Sequence, residues 1–271
     1  MARAQQVNTQ ESMAVAAGTE QPPAMEIHGL CKRFALAVAV AGVDLIVPRG
    51  SFFGLVGPNG AGKTTTLSMA VGLLRPDVGK VRIHGVDVWT DPVRAKMLVG
   101  VLPDGLSLPE RLTGQELLTY MGQLRGLDTP TVAQRTKELL EVLGLTSAGP
   151  TLVIDYSAGM RKKIGLAAAL LHAPKLLVLD EPFEAVDPIS AATIRTILQR
   201  FVAGGGSVVL SSHVMTLVEQ LCDHVAVIAS GRVVAQGPLA AVRGEQSLDD
   251  AFVRIVGGRT GGREGLSWLS S

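Results

Sequence analysis

The 271-residue chain is poor in aromatic residues (4%), in charged residues (18%) and in cysteine, of which it has two. Cys31 and Cys222 lie far apart with no metal-ligand spacing, which excludes a disulfide scaffold and a zinc module and leaves two reduced thiols. A net charge of +1 gives no basic face of the kind that holds nucleic acid or an anionic membrane surface. Long apolar runs are missing too. The greasiest stretches, Gly165–Leu171 and Leu176–Leu179, fall far short of the ~18–20 residues that a membrane-spanning helix needs. Yet the chain is 47% hydrophobic with a mean hydropathy of +0.32. That excess must enter a buried sheet, helix faces, or a surface covered by a partner. Residues 1–25 are polar, lack the apolar core of a signal peptide, and read as a disordered lead-in to a cytoplasmic protein.

Patterning divides the rest. Strands are expected at Glu26–Leu30, at Val43–Val47 before the turn signal Pro48-Arg49-Gly50, and at Phe52–Val56, a continuous run of the kind buried on both faces. A glycine-rich segment, Gly57 to Gly62, follows at once, and Lys63–Leu74 reads as a helix. From Thr113 to Leu143 the period becomes helical. Thr113 and Glu116 form a T-x-x-E capping box, and a second helix is expected over Thr131–Leu143. Buried-strand patterns return at Leu176–Leu179, Val208–Leu210 and Val225–Ile228, separated by helical segments as a parallel sheet requires.

The segment Gly57-Pro58-Asn59-Gly60-Ala61-Gly62-Lys63-Thr64 matches G-x-x-x-x-G-K-[ST] between a buried strand and a helix. Glycines there let backbone N–H groups curl around phosphate oxygens, Lys63 reaches the β and γ phosphates, and the Thr64 hydroxyl suits Mg²⁺. Further on, the strand Leu176–Leu179 ends in Asp180-Glu181, at the strand edge where ligands bind in open α/β sheets. Asp180 suits Mg²⁺ coordination, and Glu181 is placed to polarise an attacking water. Together these mark a P-loop NTPase.

A third element narrows the class. Tyr156-Ser157-Ala158-Gly159-Met160-Arg161-Lys162-Lys163 opens a helix and resembles the signature sequence of ATP-binding cassette (ABC) ATPases, usually LSGGQ followed by basic residues. The match runs from about residue 26 to 256. The resemblance implies an α/β fold: a P-loop NTPase core with a mainly parallel sheet, an N-terminal antiparallel β subdomain, an inserted helical subdomain at about 106–165, and a flexible tail at 257–271. By the same resemblance Thr65 joins the phosphate loop, and Ser157, Ala158 and Gly159 contact the ATP of a second cassette. Asp187 lies in the D-loop, His213 is the switch histidine near the γ-phosphate, and Phe34 stacks on adenine, although a core aromatic is also compatible with its position. Asp104 stands where the family places a glutamine that contacts Mg²⁺ and water.

Asp104, Ala158 and Met160 depart from the family pattern, and the expectation is that hydrolysis is retained but slow. The implied cofactors are ATP and Mg²⁺. The implied partners are integral membrane permease subunits, docked near Asp104–Leu108, and a second copy of the chain or a homologous cassette packed head to tail; no nucleic acid is expected. The implied location is peripheral, on the inner face of the membrane. Tyr156–Met160 and Leu248-Asp249-Asp250-Ala251-Phe252 resemble drug, antibiotic or lipid exporter cassettes. An importer ATPase, a cassette acting on ribosomes or DNA, and a regulatory cassette are the alternatives. Three simpler readings complete the set: His172 as a cation capping a helix dipole, Arg161–Lys163 as a solvated helix face, and His28, His84 and His224 as ordinary packing or surface residues.

Overall fold

A computed structural model describes residues 21–105 and 107–257 of the chain. In order, the elements are β1 (Met25–Phe34), β2 (Ala37–Val47), β3 (Phe52–Val56), α1 (Lys63–Ala70), β4 (Val78–Ile83), β5 (Val86–Asp87), α2 (Pro92–Leu98), β6 (Val99–Leu102), α3 (Gly114–Leu124) and α4 (Thr129–Val142). Then come α5 (Ala158–Leu170), β7 (Leu176–Leu179), α6 (Pro188–Ala203), β8 (Ser207–Ser212), α7 (Met215–Leu221), β9 (His224–Ala229), β10 (Arg232–Pro238), α8 (Leu239–Arg243) and α9 (Leu248–Phe252). Most of the expected lead-in, residues 1–20, and of the expected tail, residues 258–271, lies outside the described residues. Structure begins before Glu26, since Ala24 is buried and its N–H donates to the Val47 carbonyl at 3.0 Å.

Two sheets form. The antiparallel one has the order β2-β1-β4-β5, and the other has the order β10-β9-β3-β8-β7-β6, parallel except for the β9–β10 hairpin. Period-2 geometry explains the continuous apolar runs. Phe52, Val56, Leu177, Leu179, Val208, Leu210, Val225 and Val227 face one core, with α5–α7 residues. Phe53, Leu55, Leu176, Val178, Val209, Ala226 and Ile228 face the other, with the antiparallel sheet and α1.

Sequence and structure agree on β3 and β7 to the residue. The first hairpin is longer than the apolar clusters Glu26–Leu30 and Val43–Val47 suggest, because irregular pairing between Ile27 and Arg33 lets the alternating Ala37–Val40 segment join it. The helix after the phosphate loop stops at Ala70, not Leu74. Gly72 adopts φ 76° and the Leu73 N–H bonds back to the Ser68 carbonyl at 2.9 Å, a left-handed stop. Four strands, β4, β5, β6 and β10, have no counterpart among the expected ones, and of these β6 bears most on the site. Gly100 interrupts its apolar pattern, and a Cβ there would meet the Ala169 carbonyl at 2.1 Å, so glycine is what lets α5 lie against β6.

The expected helical insertion is present as α3, α4 and the start of α5. The Thr113 hydroxyl accepts from the Glu116 N–H at 3.2 Å and the Glu116 carboxylate accepts from the Thr113 N–H at 2.9 Å, completing the capping box. The next helix starts two residues earlier than expected, because Asp128 accepts from the Thr131 N–H at 2.9 Å and caps it.

His172 corrects an expectation. It is buried after α5, its Nε2 lies 3.1 Å from the Val99 carbonyl, and burial pushes its pKa down to about 4, so it is a neutral packing group and not a cationic cap. His84 is pushed down to about 4 by burial as well. For a histidine depressed on folding, the unfolded chain binds the proton first. The stabilisation is therefore complete above pH about 6.5, is lost as pH falls, and levels off near pH 4. His172 alone accounts for roughly 2 kcal/mol between pH 7 and pH 5. Denaturant titrations at the two pH values are expected to show a smaller drop in His172→Gln than in the parent; an equal drop contradicts the assignment.

Candidate active site

The parallel strands β3, β6, β7 and β8 end side by side, and their C-terminal loops build one cleft. The β3 loop is shaped by its glycines. Gly60 and Gly62 adopt φ 77° and 101°, and a Cβ on Gly62 would lie 2.5 Å from the Ala39 carbonyl. Neighbours brace the loop: the Gly231 N–H donates to the Ala61 carbonyl at 2.9 Å, and the Ala41 N–H to the Gly231 carbonyl at 2.8 Å. Lys63 is buried, with Nζ donating to the Gly57 carbonyl at 2.8 Å and lying 3.8 Å from Glu181 Oε1. Thr64 is exposed on the first turn of α1.

The β7 and β8 ends are joined by Ser211. Its hydroxyl bonds the buried Asp180 carboxylate and accepts from the Glu181 N–H at 2.9 Å. Glu181 itself sits at φ 45°, a left-handed conformation that non-glycine residues hold only under enforcement. Its Oε2 lies 3.1 Å from His213 Nδ1. A carboxylate held between a lysine and an imidazole can orient a water and take its proton. Ser211 thus links the two acidic residues of the site, and its signal in the sequence is a hydroxyl at the end of an otherwise apolar buried strand.

The cleft, about 570 Å³, is lined by Phe34, Ala39, Asn59–Thr65, Asp104, Glu181, Glu184 and His213. The structure thus brings together three sequence-distant candidates, Phe34, Asp104 and His213, around the phosphate loop. Phe34 is not a core aromatic: it is 47% exposed, with Lys32 Nζ 5.7 Å from its ring centroid. Gly57 and Pro58 stand behind the lining and present carbonyls to Lys63, the latter at 3.4 Å. Asp180 is likewise behind it, reached through Ser211.

Ser157, Ala158, Gly159 and Asp187 are not among the lining residues. Ser157 and Ala158 are exposed at the start of α5, where the Ser157 hydroxyl accepts from the Met160 N–H at 3.2 Å. Asp187 caps α6 by accepting from the Ile189 and Ser190 N–H groups at 3.1 and 2.9 Å, and the bonds from Ser190 hold its pKa below the usual carboxylate range. These two helix starts are neighbours, since a Cβ on Gly159 would fall 3.2 Å from Asp187 Oδ2. Tyr156, a departure from the family's leucine, is buried, and its hydroxyl donates to the Ala148 carbonyl at 2.7 Å, tying α5 to the helical lobe.

Arg161 and Lys162 do not form a solvated face. Arg161 ties α5 to its surroundings through Glu110 at 3.1 Å and the Ile154 carbonyl at 3.1 Å. Lys162 Nζ donates to the Glu181 carbonyl at 2.9 Å. Both side chains are half-buried along their aliphatic stems, an arrangement that charge alone does not announce.

Comparison with known proteins agrees with this geometry. Residues 40–184 match the family model described as ABC transporter. The daunorubicin/doxorubicin resistance ATP-binding protein of Streptomyces peucetius is 40% identical over 237 residues, 88% of this chain and 71% of the relative. A Nod factor export ATP-binding protein of Ralstonia nicotianae is 38% identical over 220 residues, 81% of this chain and 68% of that one. A solved ATP-binding subunit of an ABC transporter superposes with a TM-score of 0.80 at 29% identity, covering 85% of this chain and 98% of the other. Among the described residues no helix is long and apolar enough to cross a membrane. The chain belongs to the ABC transporter family, as an ATP-binding, ATP-hydrolysing subunit.

Proposed function

We propose that two copies of this chain pack head to tail, each cleft closed by the α5 start of the other, and that ATP held between them drives export through separate membrane subunits. One observation carries this reading. The phosphate loop, Asp104, Glu181 and His213 share a cleft, while Ser157 and Ala158 stand exposed outside it at the N-terminus of a 13-residue helix. A helix start with free N–H groups favours anions, so a γ-phosphate presented by a second copy completes both halves. ADP lacks that phosphate, and hydrolysis thereby loosens the pair.

Within the cleft, Lys63 and the N–H groups of Asn59–Thr65 hold the phosphates, Phe34 stacks on the base, and Glu181 orients the attacking water with His213 beside it. Asp187, at the start of α6, links the two halves across the pair. Magnesium fits the donor set. Thr64, Asp104 and Asp180 offer only oxygen, as a hard cation demands. Bound there, the ion supplies neutralising charge to the phosphates. Asp104 adds a full negative charge where the family carries an amide. Asp104→Gln is expected to raise the magnesium concentration for half-maximal turnover by roughly three- to tenfold; an unchanged midpoint in a magnesium titration removes Asp104 from the metal's surroundings.

Export is favoured over import because the relatives are named for drug resistance and for Nod factor export. The membrane subunits dock near Asp104 and Leu108, between the helical lobe and the core, and place the chain on the inner face of the membrane. Pull-down of the tagged chain from detergent-solubilised membranes of its own cells tests this: an integral membrane protein is expected to be retained, with raised ATP turnover. No retained membrane protein and unchanged turnover would set the reading aside.

A further inference from the structure

We propose that Lys162 is a positioning residue for hydrolysis, holding the Glu181 peptide so that the carboxylate stays aimed into the cleft; this rests on Glu181 acting on the attacking water. The geometry is specific. Lys162 lies within the first two turns of α5, five residues beyond the Ser157 cap, and its ammonium donates to the Glu181 carbonyl at 2.9 Å. That peptide has few other anchors. The following residue is Pro182, which brings no N–H, and its ring disfavours helical geometry at the residue before it. The remaining bond to the carbonyl is a turn contact from the Glu184 N–H at 3.2 Å. Glu181 nevertheless holds φ 45°. On its other side the Glu181 N–H is fixed by Ser211, which also holds Asp180.

Lys162 and Ser211 thus grip the two ends of one strained residue. Its side chain, 12% exposed, is left between His213 and Lys63. Without the ammonium, the Glu181–Pro182 peptide can relax toward the extended conformation that a pre-proline residue prefers, which swings the carboxylate off its line. Because Lys162 and its Ser157 cap belong to one helix, the same contact ties the start of α5 to the backbone of the chain's own Glu181. A sequence pattern of three successive cations gives no hint of which one reaches inward.

The test is ATP turnover by the full chain with magnesium, in Lys162→Met, Lys162→Arg, Lys162→Gln and Glu181→Gln and in the Lys162→Met/Glu181→Gln double variant. Lys162→Met is expected to lower kcat roughly ten- to a hundredfold, as loss of a charge-assisted hydrogen bond implies, while KM for ATP stays within about twofold. The melting temperature is expected to hold, Lys162→Arg to restore most of kcat, and the double variant to be no slower than Glu181→Gln. Parental kcat in Lys162→Met beside an inactive Glu181→Gln overturns the role of Lys162 and leaves that of Glu181 standing. Parental kcat in Glu181→Gln overturns the reading beneath it. Should Lys162→Met fail to fold, Lys162→Gln, which keeps a donor, takes its place; parallel losses of kcat, ATP affinity and melting temperature in both reduce Lys162 to a structural contact.

Discussion

Glu181→Gln is expected to lower ATP turnover by roughly two to four orders of magnitude while ATP still binds, the range that a positioned base contributes. The substitution is nearly isosteric, so the peptide held by Ser211 and Lys162 has no steric reason to move. What changes is charge. The amide accepts no proton at neutral pH, and the group 3.8 Å from Lys63 and 3.1 Å from His213 no longer repels the phosphates. ATP is therefore held at least as tightly as by the parent. Single-turnover assays separate the two effects: bound ATP that persists for many parental turnover times is expected, and hydrolysis at the parental rate contradicts the assignment.

The second large effect is at Lys63. Its side chain is 7% exposed, and the ammonium rests on carbonyls of its own loop, Gly57 at 2.8 Å and Pro58 at 3.4 Å. Truncation to alanine removes the cation that meets the phosphates and leaves those carbonyls, with Glu181 opposite, facing the nucleotide uncompensated. ATP affinity is expected to fall by roughly a hundredfold or more, as when one partner of a buried charged pair is deleted. Lys63→Arg is expected not to rescue it. The ammonium donates to the Gly57 and Pro58 carbonyls as a compact, rotatable donor, and a planar guanidinium with its fixed fork does not reproduce that geometry. Calorimetric titration with ATP checks both variants; near-parental affinity in Lys63→Ala would remove the loop from the binding site.

What was legible in the chain was local. Phe52–Val56, the phosphate loop and Leu176–Leu179 combine buried-strand composition with an abrupt change of residue type at the end, and both strands fell where expected. The capping box of α3 depends on two residues three apart and needs no tertiary information. The early end of α1 is also local: Gly72, in a left-handed conformation, stops a helix that the apolar Leu73-Leu74 would otherwise extend. β6 was hidden because Gly100 is chosen for closeness to Ala169 and not for strand propensity. The placement of Asp104 beside the phosphate loop follows from that missed strand, whose end it extends.

Other roles depend on contacts between distant segments. His172 carried the composition of a helix cap, yet packing against Val99 decided its charge. Ser211 and Lys162 gain meaning only once β7, β8 and α5 meet at Glu181. Ser157–Gly159 are recognisable by pattern, but within one chain they are not among the residues that line the cleft.

The sharpest check is analytical ultracentrifugation of full-length Glu181→Gln with magnesium and either ATP or ADP, beside the same variant carrying Ser157→Arg. A two-chain species with ATP, single chains with ADP, and single chains throughout for the Ser157→Arg form are the predicted outcome. Single chains under ATP, or a pair that survives a bulky arginine at residue 157, would contradict a nucleotide shared between two copies.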